Sequence, residues 1–426
     1  MKKVCKQVLS LLLGLLICAG ETPAQNIYGA NGGKTAQQTI YSGADNLMRL
    51  LNGDSVSCIT FSTERCNHLI TTQKVALVAN HTSLVGQRHL VDTLLACGTK
   101  IEKIFCPEHG FRGTAAAGAH VGNSFDSATG IAIVSLYGKN KKPTPEQMKG
   151  LDVVVFDIQD VGCRFYTYIS TLSYVMEAAA EDGVSVIVLD RPNPNGYFVD
   201  GPVLDPKFKS FVGMHPVPVV HGMTIGEYAR MVNGEGWLAN GIACDVTVVP
   251  MTGYTHRTRY SLPVAPSPNL QTDEAIYLYP SLCLFEGTAV SVGRGTTTPF
   301  QVYGHPSLKI GDFHFTPRPI KGVSENPPQK GLDCRGFDLS GYAHRMLDST
   351  NAFSVSYVLT AFENFPQNQT DFFTNSTFFD KLAGTDQLRK QILSHCSEAE
   401  IRASWQPQLD EFKQMRKKYL LYPDFE

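Results

Sequence analysis

The stretch LDVVVFDI, residues 151–158, carries an unbroken apolar run over 153–156 that ends in an acid. A half-exposed strand alternates apolar and polar residues; a run without alternation suits a strand covered on both faces. The same pattern recurs outward from it in KVALVAN (74–80), KIEKIFC (100–106), GIAIVSLYG (130–138) and VSVIVLD (184–190). Between these runs lie QRHLVDTLLACG, PTPEQMKG and ISTLSYVMEAAAEDG, whose spacing predicts helices. Strands alternating with helices imply a parallel sheet with right-handed crossovers. VPVVHGMTIGEYARMVNG and CDVTVVPM extend the rhythm to about residue 251. The expected fold class is α/β, with a Rossmann-like parallel-sheet N-terminal domain and a smaller α+β C-terminal domain.

A chain of 426 residues is long for one core, which favours two domains. The Pro-rich LPVAPSPNLQT reads as a crossing segment and sets the expected boundary near 270, giving domains over 46–270 and 271–426. MKKVCKQVLSLLLGLLICAGETPAQ places basic residues before a short apolar run and small residues, the pattern of a signal peptide (1–24) cleaved near Ala24. Cys18 lacks the small residue expected before a lipidated cysteine, so a lipid anchor there is the weaker reading. Residues 25–45 are polar and Gly-rich and read as a flexible arm. Export, to the periplasm or the medium, is therefore expected, and the mature chain carries no segment apolar enough to span a bilayer.

Composition narrows the function further. The net charge is −2 and no Lys/Arg block stands out, which argues against a nucleic-acid partner. Of 11 cysteines, two lie in the leader and the odd remainder is thinly spread, unlike a disulfide framework; Cys58 and Cys66 are the one pair that sequence suggests. No zinc-like spacing, Walker A loop, dinucleotide fingerprint or G-x-S-x-G elbow occurs, so neither a cofactor nor a metal is expected.

The polar residues fall at the ends of the strands. Asn80 and His81 follow the first run; Glu108, His109 and Arg112 follow the second, among Pro107, Gly110 and Gly113. Asp157 and Asp160 close the run at 151–158, Asp190 and Asn193 follow the next, and His221 follows VPVV. In a parallel sheet these positions share the edge where ligands bind. Some have structural alternatives: Asp157 as a turn cap paired with Arg164, the asparagines of DRPNPNG as turn formers, and Thr224 with Glu227 as a capping box. Later in the chain, FEGTAVSVGRGT (285–296) sets Glu286 before a glycine and Arg294 between two, an arrangement that presents a guanidinium to an anion. Carboxylates, arginines and aromatics such as Tyr166 and Tyr168 together suggest hydrolysis of an acidic sugar.

CPEHGFRG, DIQDVGCRFYTY, DRPNPNG, PSPNLQT, YPSLCLFEGT and VSVGRGT, in this order, resemble the exo-β-N-acetylmuramidase (NamZ-like) family, formerly a domain of unknown function, over residues 70 to 425. The resemblance implies a cleft between a Rossmann-like domain and a smaller one, and release of N-acetylmuramic acid from the non-reducing ends of peptidoglycan fragments. Glu108 is the expected general acid, with Asp157, Asp160 or Glu286 as second group. Arg294, then Arg164, would meet the lactyl carboxylate. His81, His109, Arg112, Tyr166, Asp190, Asn193 and His221 complete the expected substrate-binding set. Two rivals remain: a periplasmic acidic-sugar-binding protein without chemistry, and a metal-dependent hydrolase built on Asp157, Asp160 and His81.

Overall fold

The computed structural model describes residues 39–56, 63–108, 110–112, 124–349, 352–366 and 371–426. The expected leader, Cys18, Cys58, most of the arm and His109 lie outside these residues. The strands are β1 (Lys74–Ala79), β2 (Leu84–Val85), β3 (Arg88–His89), β4 (Lys100–Cys106), β5 (Ser124–Phe125), β6 (Ala132–Ser135), β7 (Val153–Asp157), β8 (Ser185–Leu189), β9 (Val246–Val249), β10 (Val302–His305), β11 (Phe313–Phe315) and β12 (Cys334–Asp338).

The main sheet runs β5-β6-β4-β1-β7-β8-β9. All its neighbours pair in parallel except β5, which lies antiparallel on β6. The chain builds outward from β1 on one side, then returns to build β7, β8 and β9 on the other, the doubly wound Rossmann-like order. Both central strands are buried along nearly their whole length. Side chains alternate across a strand, and here each face has its own core. Ala76, Val78, Val154 and Phe156 pack on one side, and Val75, Leu77, Val153 and Val155 on the other. That is why the sequence pattern is unbroken: each buried Val or Leu contributes about 1.5–3 kcal/mol whichever way it points.

Local chemistry explains the crossovers. Helix Tyr168–Asp182 stops at Gly183, whose φ of 67° is left-handed. Helix Ile225–Gly234 starts from the Thr224/Glu227 capping box that the spacing predicts. Two expectations need correction. VPVV is not a strand of the sheet: Val220 makes only isolated bridges to Cys163 and Asp200. Pro216 and Pro218 remove the donors that a ladder needs. Regular structure also begins earlier than residue 46. Tyr41 bridges Thr252, Ser42 and Asp45 form a capping box, and the Gly43 amide donates to Asp190 O at 2.7 Å. A Cβ at Gly43 would lie 2.3 Å from Asp190 N, just past β8, and from Val249 O in β9, so only glycine fits that approach.

Beyond the crossing segment come helix Asp273–Leu282, the antiparallel sheet β10-β12-β11 and helices ending with Glu398–Arg416. The chain then returns to the first half. Buried Arg416 donates to Gly222 O and pairs with Asp424, and Tyr422 Oη donates to Asp190 at 2.5 Å. Arg164 joins the halves from inside: its Nη1 donates to Pro202 O and Val217 O at 2.7 Å each, and its Nη2 to Leu382 O at 2.9 Å. Replacement by methionine would remove three buried hydrogen bonds, and of the three carbonyls Val217 O would keep the Leu204 amide at 3.1 Å. Arg164→Met is expected to lower unfolding free energy by about 3 kcal/mol or more, read from the urea midpoint at unchanged slope.

Candidate active site

A solvent-open cavity lies where the two halves meet, beyond the carboxyl ends of β4 and β7. The first half contributes Glu108, Phe165, Tyr166, Thr167 and Tyr168. The crossing segment adds Ser267, Asn269 and Leu270, and the second half adds Tyr279, Arg294 and Phe300.

Glu108 is placed by β4, which carries the chain to the sheet edge and ends one residue before Pro107. Tyr137, just beyond β6, holds its hydroxyl against the Glu108 carboxylate; burial first, then that contact, pushes the phenol up to about 12. Tyr168 also lines the cavity, feels the Glu108 charge, and is fixed by Asn80 Nδ2 at 3.1 Å. Tyr166 packs edge-on to Tyr168 with centroids 4.9 Å apart, and its hydroxyl donates to Pro266 O at 2.7 Å. Burial raises the pKa of both phenols, so both are neutral donors. Asn269 is 2% exposed, and its Oδ1 is buried with no hydrogen-bond partner. Across the cavity, Arg294 Nε pairs with Glu286 and its guanidinium lies 4.9 Å from the Phe300 ring centre. Burial works against the Arg294 charge, but Glu286 outweighs it and raises the pKa.

Several expected site residues are engaged elsewhere. Asp157 is fully buried and holds Arg191 through two bonds of 2.6 and 2.8 Å, so it is not open to activate a water. Asp190 accepts from Thr224 Oγ1, the Gly226 amide and Tyr422, which ties three segments together. Asn193 accepts the Asn195 amide and donates to Met223 O, the turn role its sequence allowed. Arg164 meets backbone carbonyls and not a ligand carboxylate. Arg112 forks onto Asp126 at 2.8 Å on both arms, which holds that carboxyl down at about 2. His221 is buried with its pKa pushed down to about 3, and its Nδ1 accepts the Met223 amide. His81 bonds Ala265 O at 2.9 Å and so anchors the crossing segment. Glu286 stands behind Arg294 and does not line the cavity.

Asp157, Asp160 and His81 therefore do not converge, and among the described residues no three His, Cys, Asp or Glu side chains are grouped to hold a metal ion. Asn269, Tyr279 and Phe300 went unassigned in the sequence. The first two lie inside the quoted motifs PSPNLQT and YPSLCLFEGT; nothing in the local pattern around Phe300 marks it.

Asp160 is buried and does not line the cavity. Its Oδ2 accepts the Gly162 amide at 2.6 Å, its Oδ1 has no partner, and burial pushes its carboxyl up to about 7. The native group therefore keeps its proton between about pH 4 and 7, where the unfolded one has lost it. Stability from this group falls as pH rises through that window and levels off above it. Asp160→Asn removes the effect, so the variant is expected to gain melting temperature relative to wild type at pH 8, and little at pH 4. A gain independent of pH would contradict the assignment.

Comparison with known proteins places this geometry. Residues 75–274 match the family model described as exo-β-N-acetylmuramidase NamZ, N-terminal, and residues 277–422 match its C-terminal counterpart. The peptidoglycan β-N-acetylmuramidase NamZ of Bacillus subtilis (strain 168) is 42% identical over 339 residues, covering 76% of this chain and 80% of that protein. Two crystal structures of DUF1343 family proteins from Bacteroides fragilis NCTC 9343 share the fold. One is 45% identical with a TM-score of 0.77, the other 28% identical with 0.70; each match covers 90% of this chain and 99% of the other.

Proposed function

The chain belongs to the exo-β-N-acetylmuramidase NamZ family, and from that premise we propose that it is a glycoside hydrolase that removes N-acetylmuramic acid from peptidoglycan fragments, with Glu108 as general acid. The observation that carries the assignment of Glu108 is its position. Among the described residues that line the cavity, it is the one carboxylate. A general acid must reach the leaving oxygen, and Glu108 is half-buried at that wall, in contact with Tyr137 and near enough to Tyr168 for its charge to act there.

A single lining carboxylate also supports assistance by the substrate's own 2-acetamido group. The acetamido carbonyl oxygen bonds to the anomeric carbon as the glycosidic C–O bond breaks, and the Glu108 proton goes to the leaving oxygen. Water then opens the cyclic intermediate at the anomeric carbon and returns a proton to Glu108, which restores the enzyme. Asn269 Oδ1, buried and unpartnered, is suited to accept the acetamido N–H and orient the carbonyl toward that carbon. Tyr166 and Tyr168 supply apolar faces for the ring, and Arg294 supplies a cation for the lactyl carboxylate.

Glu108→Gln is expected to lower kcat on a chromogenic β-N-acetylmuraminide by about 10² or more with KM little changed. In the wild type, successive fluorination of the N-acetyl methyl weakens the carbonyl nucleophile and is expected to lower kcat stepwise. A flat series would move the nucleophile to water or to the protein. Tight binding of the muraminide without turnover would instead support the binding-protein reading.

The first 24 residues support export to the envelope or the medium. The mature protein is expected to start just after Ala24, as read by N-terminal sequencing of the processed chain; an acylated Cys18 at the start would favour the lipid anchor.

A further inference from the structure

We propose that Glu286 and Phe300 are positioning residues that fix Arg294 from two sides, so that its remaining N–H fork is preset for the lactyl carboxylate and selects a muramic ring over a glucosamine ring. The proposal rests on the muramidase reading above and assigns the part of the site that sets substrate choice.

Arg294 sits on a turn that only its neighbours permit. Gly293 and Gly295 have φ of 77° and 81°. A Cβ at either would come within 2.5 Å of Val302 Cγ2 or Arg318 O. From that turn Nε reaches the Glu286 carboxylate, whose other oxygen lies 3.6 Å from Cys283 Sγ. One edge of the guanidinium is thereby committed, and neither Nη is needed for that bond. The guanidinium carbon is held as well, since it lies over the Phe300 ring 4.9 Å from the ring centre.

Phe300 is the less expected half of the clamp. Its φ of 58° is left-handed, a region that a bulky side chain rarely occupies. Of the four non-glycine residues with positive φ among those described, it is the one that lines the cavity. Glycine would relieve the backbone, so the ring must offer something that glycine lacks. The residue is 1% exposed, its amide donates to Val292 O at 2.8 Å, and its ring meets Tyr279 edge-on at 5.0 Å. Disfavoured backbone held by surrounding packing recurs at ligand clamps. Here the left-handed turn points an aromatic face at a cation that faces the cavity.

Glu286 also explains selectivity among anions. An unpaired arginine in a half-open cavity would attract any phosphate or sulfate. With Glu286 beside it, the net charge of the pair is near zero, and only a ligand that matches the planar fork with two hydrogen bonds gains enough to stay.

The test compares kcat and KM for chromogenic β-N-acetylmuraminide and β-N-acetylglucosaminide, which lacks the lactyl ether, in wild type, Arg294→Met, Phe300→Leu, Phe300→Tyr and Glu286→Gln. Wild type is expected to prefer the muraminide and Arg294→Met to lose that preference. Phe300→Leu is expected to raise the muraminide KM about tenfold with kcat nearly unchanged, and Phe300→Tyr to restore it. Glu286→Gln is expected to narrow the preference and to strengthen inhibition by inorganic sulfate, which a merely structural residue would not change. If Phe300→Leu does not fold, Glu286→Gln and Phe300→Tyr still report on the clamp. Wild-type selectivity in Glu286→Gln and folded Phe300→Leu, alongside loss in Arg294→Met, would overturn the clamp and leave the muramidase reading intact. Absence of muraminide turnover by wild type would overturn that reading itself.

Discussion

The cavity depends on one buried cation. Arg164 enters the protein interior without a carboxylate partner; its two Nη atoms donate to the carbonyls of Pro202, Val217 and Leu382, while its Nε is buried without a partner. Burial lowers its pKa to about 10, which still leaves it charged at neutral pH. Charge in a dry interior persists only where dipoles replace water, so the three segments are held at the distances the guanidinium dictates. Gly384 completes the fit: a Cβ there would come 2.6 Å from Arg164 Nη2. Phe165 and Tyr166, the next residues along, line the cavity. The wall of the site is thus set by a contact on its far side, between the loop after β7 and a helix more than 200 residues later.

The sheet edge carries a second constraint. Loops after β1, β7 and β8 are joined by side chains standing in for backbone. The Gln159 amide donates to Thr82 Oγ1, Gln159 Nε2 to Pro192 O, and Asn195 Nδ2 to Val161 O. Asp157 with Arg191, and Asp190 with Thr224 and Tyr422, belong to the same lattice of bonds. Acids at strand ends therefore divide by exposure. Those sealed inside hold loops together, whereas Glu108, just beyond β4 and held by Tyr137, lines the cavity.

That division shows what was legible in the sequence. Unbroken runs at 74–80, 151–158 and 184–190 revealed a doubly covered parallel sheet because burial on both faces leaves no other pattern. The capping box at Thr224 was legible for a similar reason, since its partners lie three residues apart. Partners distant in sequence were not. Nothing near Asp157 announces Arg191, nothing near Arg164 announces Leu382, and an orphaned oxygen on Asn269 exists only once Val323 and the crossing segment have packed around it. VPVV misled because its apolar content is that of a strand while its prolines forbid the ladder.

The fold also explains how a doubly wound sheet can work on a sugar. Between β1 and β7 the chain reverses its order of building, which in nucleotide-binding relatives of this topology opens a crevice for phosphates over a glycine-rich turn. Here the turn after β1 is Asn80-His81-Thr82-Ser83. Asn80 Oδ1 accepts the Thr82 amide at 2.9 Å, and Ser83 Oγ bonds Asp157 O. These side chains fill the place where bare backbone would meet a phosphate, and Asn80 Nδ2 is turned to Tyr168. Tyr168 then stands at the cavity beside Glu108. The same crevice that elsewhere offers amides to an anion offers here an acid and aromatic faces. In the proposed reading the anion is met across the cleft by Arg294, in the half of the chain that a Rossmann-like sheet alone does not possess.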